Sequence, residues 1–512
     1  MKRLGPFRLR RDAVQRSYDI HSWLGVLGGL VLFICVYSGT LALFERDLIA
    51  WERPEARWAQ DGAERMDLEL LLERARSRLG EEHDLFVMLP TEGQSRLQAR
   101  SFQDGRVEKI FVDPYTGEVA ENEGSTAFEF LTHLHTDLHL PRPYGRYLVG
   151  LLGIFLMMSL ISGAMAHPRM IKDLFLLRWR PNLRLTASDV HKQVGVWCLT
   201  FGSVMAFTGA VIGLLGLFAP VMVLSAFGGD VEKATEAFSG PHFEETGVTV
   251  DMLPIVPLLE EVQAIRPGFE ITSLFISHWG DETAEVSFNL ERAPYRQLTT
   301  GETHRVSLVD GRTVYVSTFT ERGAGSRLFG AMQPVHYALF GGLGLKMLYF
   351  VSGLVLSLGI VTGTVIWLQR RRSRALERRD RYFWLGRLHL GGSLGLVLAS
   401  AVAIAAGRFV PTVIEPSFWI CWGLVLVGAF VVTDGVGFVR AGALVTGAIL
   451  VAVGVGDLWL SEHLTPAARQ VDLVFLALGL LSAAAAMLGP RGRIGSVGVA
   501  SPARFVTRES SS

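Results

Sequence analysis

Four apolar stretches of membrane length each have a histidine near their beginning, and this arrangement restricts the possible folds more than any other feature. The stretches cover residues 20–44, 147–167, 193–229 and 347–369, and none contains Asp, Glu, Lys or Arg. A helix of about 20 residues crosses the hydrocarbon core of a bilayer. The accompanying histidines are His21, His135, His191 and His336. The sequence therefore predicts a helical membrane bundle with four imidazoles at helix ends.

The first and third stretches repeat each other without a gap. Both begin with an Asp-x-His-x-x-x-Gly motif, which starts at Asp19 in one and at Asp189 in the other. At corresponding depths the four stretches carry Ser38-Gly39, Ser162-Gly163, Thr208-Gly209 and Thr362-Gly363. We interpret this pattern as a duplicated unit of helix, outer segment and helix, whose two copies are parallel and related by an axis along the membrane normal.

Four further apolar stretches bring the predicted number of transmembrane helices to about eight. They cover residues 388–407, 416–433, 441–460 and 473–488. An apolar content of 49% agrees with a membrane protein. The three cysteines, Cys35, Cys198 and Cys421, all fall inside predicted spans, which argues against a disulfide framework or a thiolate metal site.

The distribution of charge predicts the orientation of the chain. Arg and Lys are concentrated before the first span, in residues 169–184 and in residues 370–387, and short basic segments remain on the cytoplasmic side. Residues 45–146 and 228–333 are rich in Asp and Glu and should lie outside. The first apolar stretch is too long for a signal peptide and reads as a retained helix with a cytoplasmic amino terminus.

The two outer segments have the periodicities of α+β domains. In the first, residues 68–79 have helical spacing, and residues 85–89, 96–102 and 107–112 read as strands. The second predicts a helix over 253–264 and strands over 270–277, 285–290, 302–309 and 313–318. The sequence thus predicts two small α+β domains outside the membrane.

The repeated histidines suggest a cofactor site. His21 and His191 should lie near the cytoplasmic end of the bundle, and His135 and His336 near the outer end. Two neutral imidazoles from facing helices can hold a haem iron between them. Two such sites would be separated by less than the roughly 30 Å thickness of the core, which suggests an electron path across the membrane.

Several features leave alternatives open. Glycines such as Gly25 and Gly195 suit the flat face of a macrocycle, but close helix packing explains them about as well. His135 and His139 have a spacing that also binds zinc. Reserve ligands are His133, His139, His167 and His389.

The sequence contains no dinucleotide-binding or Walker motif, so electrons must come from a separate reductase, a reduced flavin or a quinol. Catalytic residues are not identifiable, and no nucleic-acid partner is expected.

These motifs resemble the PepSY-associated transmembrane family, a group of bacterial inner-membrane proteins that includes iron-regulated membrane proteins and ferrisiderophore reductases. The similarity also extends to the Asp-Pro-Tyr-Thr-Gly turn at residues 113–117, the Leu134-His135-x-x-Leu138 motif and the Thr-Gly-x-x-x-Trp ending at Trp367. It covers about residues 15–372. It implies two haem b groups held by His21, His191, His135 and His336, and reduction of a ferric chelate on the periplasmic side. The second outer segment lacks the Asp-Pro-x-Thr-Gly turn, and the last four spans lie outside the similarity.

The combined prediction is an all-α membrane bundle of about eight helices with two PepSY-like periplasmic α+β domains, embedded in the lipid of the bacterial inner membrane. The expected segments are 1–19 (cytoplasmic), 20–44 (span), 45–134 (first domain), 135–168 (span), 169–190 (link), 191–219 (span), 220–333 (second domain), 334–369 (span), 370–387 (link), 388–488 (four spans) and 489–512 (cytoplasmic tail). The expected function is transmembrane reduction of a ferric siderophore or similar ferric chelate. The alternatives are a non-enzymatic envelope regulator or protease-binding protein, and a siderophore permease.

Overall fold

The computed structural model describes most of the chain. The described residues are 10–52, 64–80, 84–90, 96–103, 106–121, 126–170, 175, 183–291, 298, 301–318, 323–372, 379–460 and 466–488. The basic residues before position 10, half of the predicted 169–190 link, part of the 370–387 link and the tail 489–512 lie outside this set.

The described chain contains seventeen α-helices. Seven of them are long and apolar enough to cross a membrane, and an eighth candidate is a pair of helices that meet at an angle of 69°. In chain order the helices are α1 Arg11–Leu27, α2 Gly29–Ala42, α3 Glu45–Glu52, α4 Leu68–Leu79, α5 Ala127–Thr136, α6 Tyr144–Ala166, α7 Leu183–Trp197, α8 Leu199–Phe227, α9 Val231–Ser239, α10 Ile255–Ile265, α11 Ala324–Gly330, α12 Met332–His336, α13 Gly342–Arg372, α14 Arg379–Phe409, α15 Ile414–Val431, α16 Gly435–Leu460 and α17 Pro466–Leu488. Seven or eight candidate spans agree with the prediction of a mostly helical, multi-pass membrane protein.

The first and third predicted spans are each divided into two helices. The break between α1 and α2 lies at Gly28, and the break between α7 and α8 lies at Cys198. Both positions are seven residues beyond the histidine of the repeated motif, His21 or His191. The membrane-length helix of the third segment is therefore α8, which begins later than the predicted span over 191–219.

The chain divides into two compact units. The first comprises Met1–Ile34, Ala164–Trp197 and Leu358–Ser512, and the second comprises Cys35–Gly163 and Cys198–Ser357. Within the first unit the carboxy-terminal helices pack on one another, and Arg408 of α14 forms an ion pair with Asp457 of α16, with 2.8 Å between Nε and Oδ1. Pairing limits the cost of placing two charged groups in membrane-length helices.

The two segments that the sequence predicts outside the membrane share a single sheet, which corrects the expectation of two α+β domains with a sheet each. The strands are β1 Leu85–Met88, β2 Leu97–Gln103, β3 Arg106–Val112, β4 Val119–Glu121, β5 Glu270–Ser277, β6 Glu285–Glu291, β7 Glu302–Ser307 and β8 Thr313–Ser317. Their spatial order is β4-β3-β2-β1-β5-β6-β7-β8, with β1 and β5 antiparallel at the centre. Their union satisfies backbone groups that would otherwise lie on two exposed sheet edges.

A common hydrophobic core lies between this sheet and helices α4 and α10. It contains buried residues of both segments, including Leu72, Val87, Leu274 and Phe288. Glu69 of α4 accepts hydrogen bonds from the backbone nitrogens of Ile255 at 3.1 Å and Val256 at 2.9 Å, at the beginning of α10. A carboxylate in this position satisfies free N–H groups and interacts favourably with the helix dipole. The two halves of the sheet domain therefore form one folded body.

Candidate cofactor site

The structure brings the four repeated histidines together as two pairs. In the first pair, His21 of α1 and His191 of α7 have ring centroids 5.8 Å apart and ring planes at 51°. In the second pair, His135 of α5 and His336 of α12 have centroids 6.1 Å apart and ring planes at 20°. Each pair lies within one of the two compact units. The chain thus repeats the same juxtaposition of two imidazoles from segments distant in sequence.

Two short helices position the second pair. Helix α5 begins with a complete capping box between Thr126 and Glu129 and carries His135 in its last turn. Helix α12 ends at His336 itself. The chain then turns through residues with positive φ, Leu138 at 53° and Ala338 at 55°. Sequence reasoning missed both helices, although the Thr-x-x-Glu pattern at residue 126 was a detectable start signal for α5.

Backbone carbonyls fix the protonation of two of the imidazoles. The Nδ1 of His135 lies 2.8 Å from the carbonyl oxygen of Cys35, and the Nδ1 of His191 lies 2.8 Å from that of Gly359. Because a carbonyl oxygen only accepts hydrogen bonds, Nδ1 must carry the hydrogen in both rings. The lone pair then lies on Nε2, which is the arrangement that metal-ligating histidines usually have.

A threonine hydroxyl performs this role for His336. The Nδ1 of His336 lies 2.8 Å from Thr208 Oγ1, and that hydroxyl donates to the carbonyl oxygen of Val204 at 2.7 Å. Since the hydroxyl hydrogen is used in this way, Oγ1 accepts from Nδ1 of His336. His336 therefore also presents the lone pair of Nε2.

We expect Thr208→Val to weaken cofactor binding at the second pair about 10- to 100-fold, because loss of the hydrogen-bond partner of a ligating histidine typically has an effect of this size. Thr208→Ser should retain most of the affinity, since it keeps the hydroxyl. Titration of haem into cofactor-depleted protein would measure both values. Equal affinities in the Val and wild-type proteins would show that the hydroxyl does not orient His336.

The repeated Ser/Thr-Gly pairs form the surfaces on which three of these imidazoles rest. A Cβ added at Gly39 would lie 2.5 Å from Cε1 and Nδ1 of His135, and one added at Gly363 would lie 2.8 Å from Cε1 of His191. A Cβ added at Gly209 would lie 3.1 Å from Cε1 of His336. Only glycine allows the first two approaches without displacement of the ring. The sequence revealed these motifs as a repeat but did not reveal their role.

The glycines of the Asp-x-His-x-x-x-Gly motif have a different environment. Among the described residues, a Cβ added at Gly25 or Gly195 would meet no atom within 4 Å beyond the adjacent residues and backbone of its own helix. Each glycine lies four residues after its histidine, so both occupy the same helix face as His21 or His191. Close helix packing, the alternative explanation from sequence, does not account for these two glycines. They leave a flat, open helix surface beside the first pair.

The electrostatic environment keeps the second pair neutral. Loss of hydration and, to a smaller extent, the neighbouring His135 together lower the pKa of His336 to about 3. Loss of hydration also lowers the pKa of His135, against a smaller opposing effect of its hydrogen bond to Cys35. Both histidines lie on short helices outside the membrane-length ones. Neutral imidazole is the form that coordinates a metal.

The reserve histidines have other surroundings. His133 pairs with Asp137, with 3.2 Å between Nδ1 and Oδ2, and the His139 ring lies 4.3 Å from that of Phe130. His389 of α14 approaches Gly29, with Cε1 3.4 Å from the position of an added Cβ. His167 immediately follows the end of α6. In the described part of the chain, none of these histidines joins either pair in a group of three metal-binding side chains.

The donor set fits a haem better than a bare metal ion. Among the described residues, no group of three or more His, Cys, Asp or Glu side chains is arranged to hold a metal. Two imidazoles alone suit a macrocycle that supplies four further nitrogens. Centroid distances of 5.8 Å and 6.1 Å would let both imidazoles of a pair hold one such group.

Comparison with known proteins identifies a family and a relative of this chain. The family model described as "PepSY-associated TM region" matches residues 18–370. The uncharacterized protein PA4219 of Pseudomonas aeruginosa is 30% identical over 373 residues, which cover 69% of this chain and 93% of that protein. The family match includes all four paired histidines and ends before α14.

Proposed function

This chain belongs to the PepSY-associated TM region family, and we propose that it is a haem-containing oxidoreductase that passes electrons across the membrane to a ferric chelate. The observation that carries the proposal is the presence of two histidine pairs. In at least three of the four rings, Nδ1 is hydrogen-bonded to a protein acceptor, so Nε2 is the atom that could ligate a metal. A bound haem b at each pair would supply a reversible one-electron iron couple in a bis-imidazole site suited to electron transfer.

The side chains of the protein contribute position and environment. His21 and His191 would hold one group, and His135 and His336 the other. The carbonyls of Cys35 and Gly359 and the hydroxyl of Thr208 orient the rings and increase their basicity. Gly39, Gly209 and Gly363 let the imidazoles approach the neighbouring helices.

The proposed direction of electron transfer follows from the charge distribution. The basic segments favour a cytoplasmic amino terminus and a sheet domain on the periplasmic side of the bacterial inner membrane. The first pair would then accept electrons from a separate reductase, reduced flavin or quinol, and the second would be nearer the ferric chelate. Reduction favours iron release, because hard oxygen donors bind Fe(III) more strongly than Fe(II).

Anaerobic reoxidation tests this function. The purified protein is reduced with dithionite, freed of excess reductant and mixed with ferric citrate or with iron tris-catecholate, in the presence of a chromogenic Fe(II) chelator. We expect reoxidation of the haem spectrum together with formation of Fe(II), and neither in a variant with all four paired histidines changed to alanine. Full activity in that variant would contradict the proposal and favour the regulator, and uptake of intact chelate into vesicles without a reductant would favour the permease.

A further inference from the structure

A row of cationic and aromatic residues crosses the face of the sheet opposite the α4 and α10 core. We call this face the open face. Seven adjacent strands each contribute one residue to this row, and each residue is paired directly with the next across the sheet. From β3 to β8 the row is Lys109, Arg100, Phe86, Phe275, Ser287, Arg305 and Tyr315. The row contains three cations and three aromatic rings. Each member is half-buried.

The three cations of the row differ in their partners. Lys109 Nζ lies 3.2 Å from Glu129 Oε1, and Arg305 Nη1 lies 3.2 Å from Glu285 Oε1. Arg100 instead faces the side-chain amide of Gln98, whose oxygen accepts from Nε and Nη2 at 2.8 Å when the amide is turned so that its oxygen faces the guanidinium. Carboxylates therefore neutralise the two outer cations, whereas the partner of Arg100 in the described structure is a neutral amide. Positive charge remains at Arg100, next to Phe86.

The contacts of the row place the open face on the same side of the sheet as the second histidine pair. Glu129, the partner of Lys109, belongs to α5, the helix that carries His135. At the other end, the guanidinium of Arg305 donates to the carbonyls of Ser239 and Pro241, which follow α9 and the membrane-length α8. The elements that approach the open face thus lead directly into membrane-length helices.

We infer that this cationic–aromatic row binds the acceptor as an anionic ferric chelate with aromatic donor groups. This inference rests on the proposed function, which identifies the ligand as an electron acceptor. A guanidinium forms directional hydrogen bonds with anionic oxygen and stacks on aromatic faces. Phe86 and Phe275, directly paired across β1 and β5, offer ring surface beside that charge. A neutral chelate without rings would use neither feature.

Equilibrium binding to the oxidised full-length protein in lipid nanodiscs, without any reductant, tests the inference. The probes are the anionic complex of Fe(III) with three 2,3-dihydroxybenzoates and the neutral complex with three acetohydroxamates. We expect the wild type to bind the aromatic anion more tightly, and Arg100→Gln to weaken that binding about tenfold through loss of a charged hydrogen-bond donor. Arg312→Gln changes an exposed arginine in the turn before β8 and should leave both affinities unchanged.

Two further variants distinguish a loss of chelate binding from a loss of folding. Arg100→Lys retains the charge and should recover part of the affinity, while Phe86→Leu should reduce the preference for the aromatic chelate with little change for acetohydroxamate. Wild-type affinity in both Arg100→Gln and Phe86→Leu, or equal affinity of the wild type for the two chelates, would overturn the inference. No electron transfer is measured, so the two proposals can fail separately. If the purified protein lacks haem but still binds the chelates with this preference, the proposed function is refuted and the binding inference stands.

Discussion

Replacing His191 by alanine is expected to remove one of two haems from the purified protein and leave the other. His191 faces His21 at a centroid distance of 5.8 Å, and its Nδ1 is held by the carbonyl of Gly359. Its loss leaves a single imidazole at the first pair, whereas His135 and His336 belong to the other compact unit and keep their own contacts. The haem-to-protein ratio should therefore fall to about half of the wild-type value, since each haem would need both histidines of its pair.

His389→Ala is the matched control for this substitution. His389 is another histidine of the same compact unit, and its ring approaches Gly29. The variant should keep the wild-type haem content. Loss of haem in His389→Ala together with full haem content in His191→Ala would show that the ligands of the first site have been misassigned.

The second large effect is expected from Gly195→Leu, which should also remove the haem of the first pair. Beyond its own helix, a Cβ at this position meets no atom of the described residues within 4 Å, so the described part of the protein can accommodate the new side chain. Leucine also favours a helix over glycine by roughly 1 kcal/mol or slightly less. The variant should therefore fold at least as stably as the wild type when cofactor is absent. Haem loss in a stable protein would mean that the open surface beside His191 receives the macrocycle.

Gly423→Leu provides the comparison. Gly423 lies in α15, and a Cβ there likewise meets no described residue outside its own helix within 4 Å. This variant should keep both haems. The measurements are haem content per chain and thermal unfolding of cofactor-depleted protein. Normal haem content in Gly195→Leu would place the macrocycle elsewhere.

Much of the architecture was predictable because its signals are local. Runs of uncharged residues located the membrane-length helices, and alternation located seven of the eight strands, with β5 recovered at residues 270–277. The helix over 68–79 was also recovered with both ends. The repeated Asp-x-His motif, together with the matched depth of the other two histidines, indicated the pairs that the structure brings together.

The remaining features depend on contacts between distant segments. The joining of two expected domains into one sheet requires β1 to pair with β5, for example Phe86 with Phe275, and no local pattern specifies that partner. The same reason applies to the imidazole contacts at Gly39 and Gly363, because the approaching ring comes from another part of the chain. The breaks at Gly28 and Cys198 occur within continuous apolar stretches, so hydrophobicity alone could not reveal them.

The most direct test of the central claim is the haem content and ligation of the wild-type protein, purified after expression with adequate haem supply. We predict two haem b groups per chain by the pyridine haemochrome assay. Near-infrared magnetic circular dichroism of the oxidised protein should show low-spin ferric iron with two imidazole ligands at both sites. A protein without a Soret band under these conditions, or one whose haem is high-spin and five-coordinate, would contradict the claim.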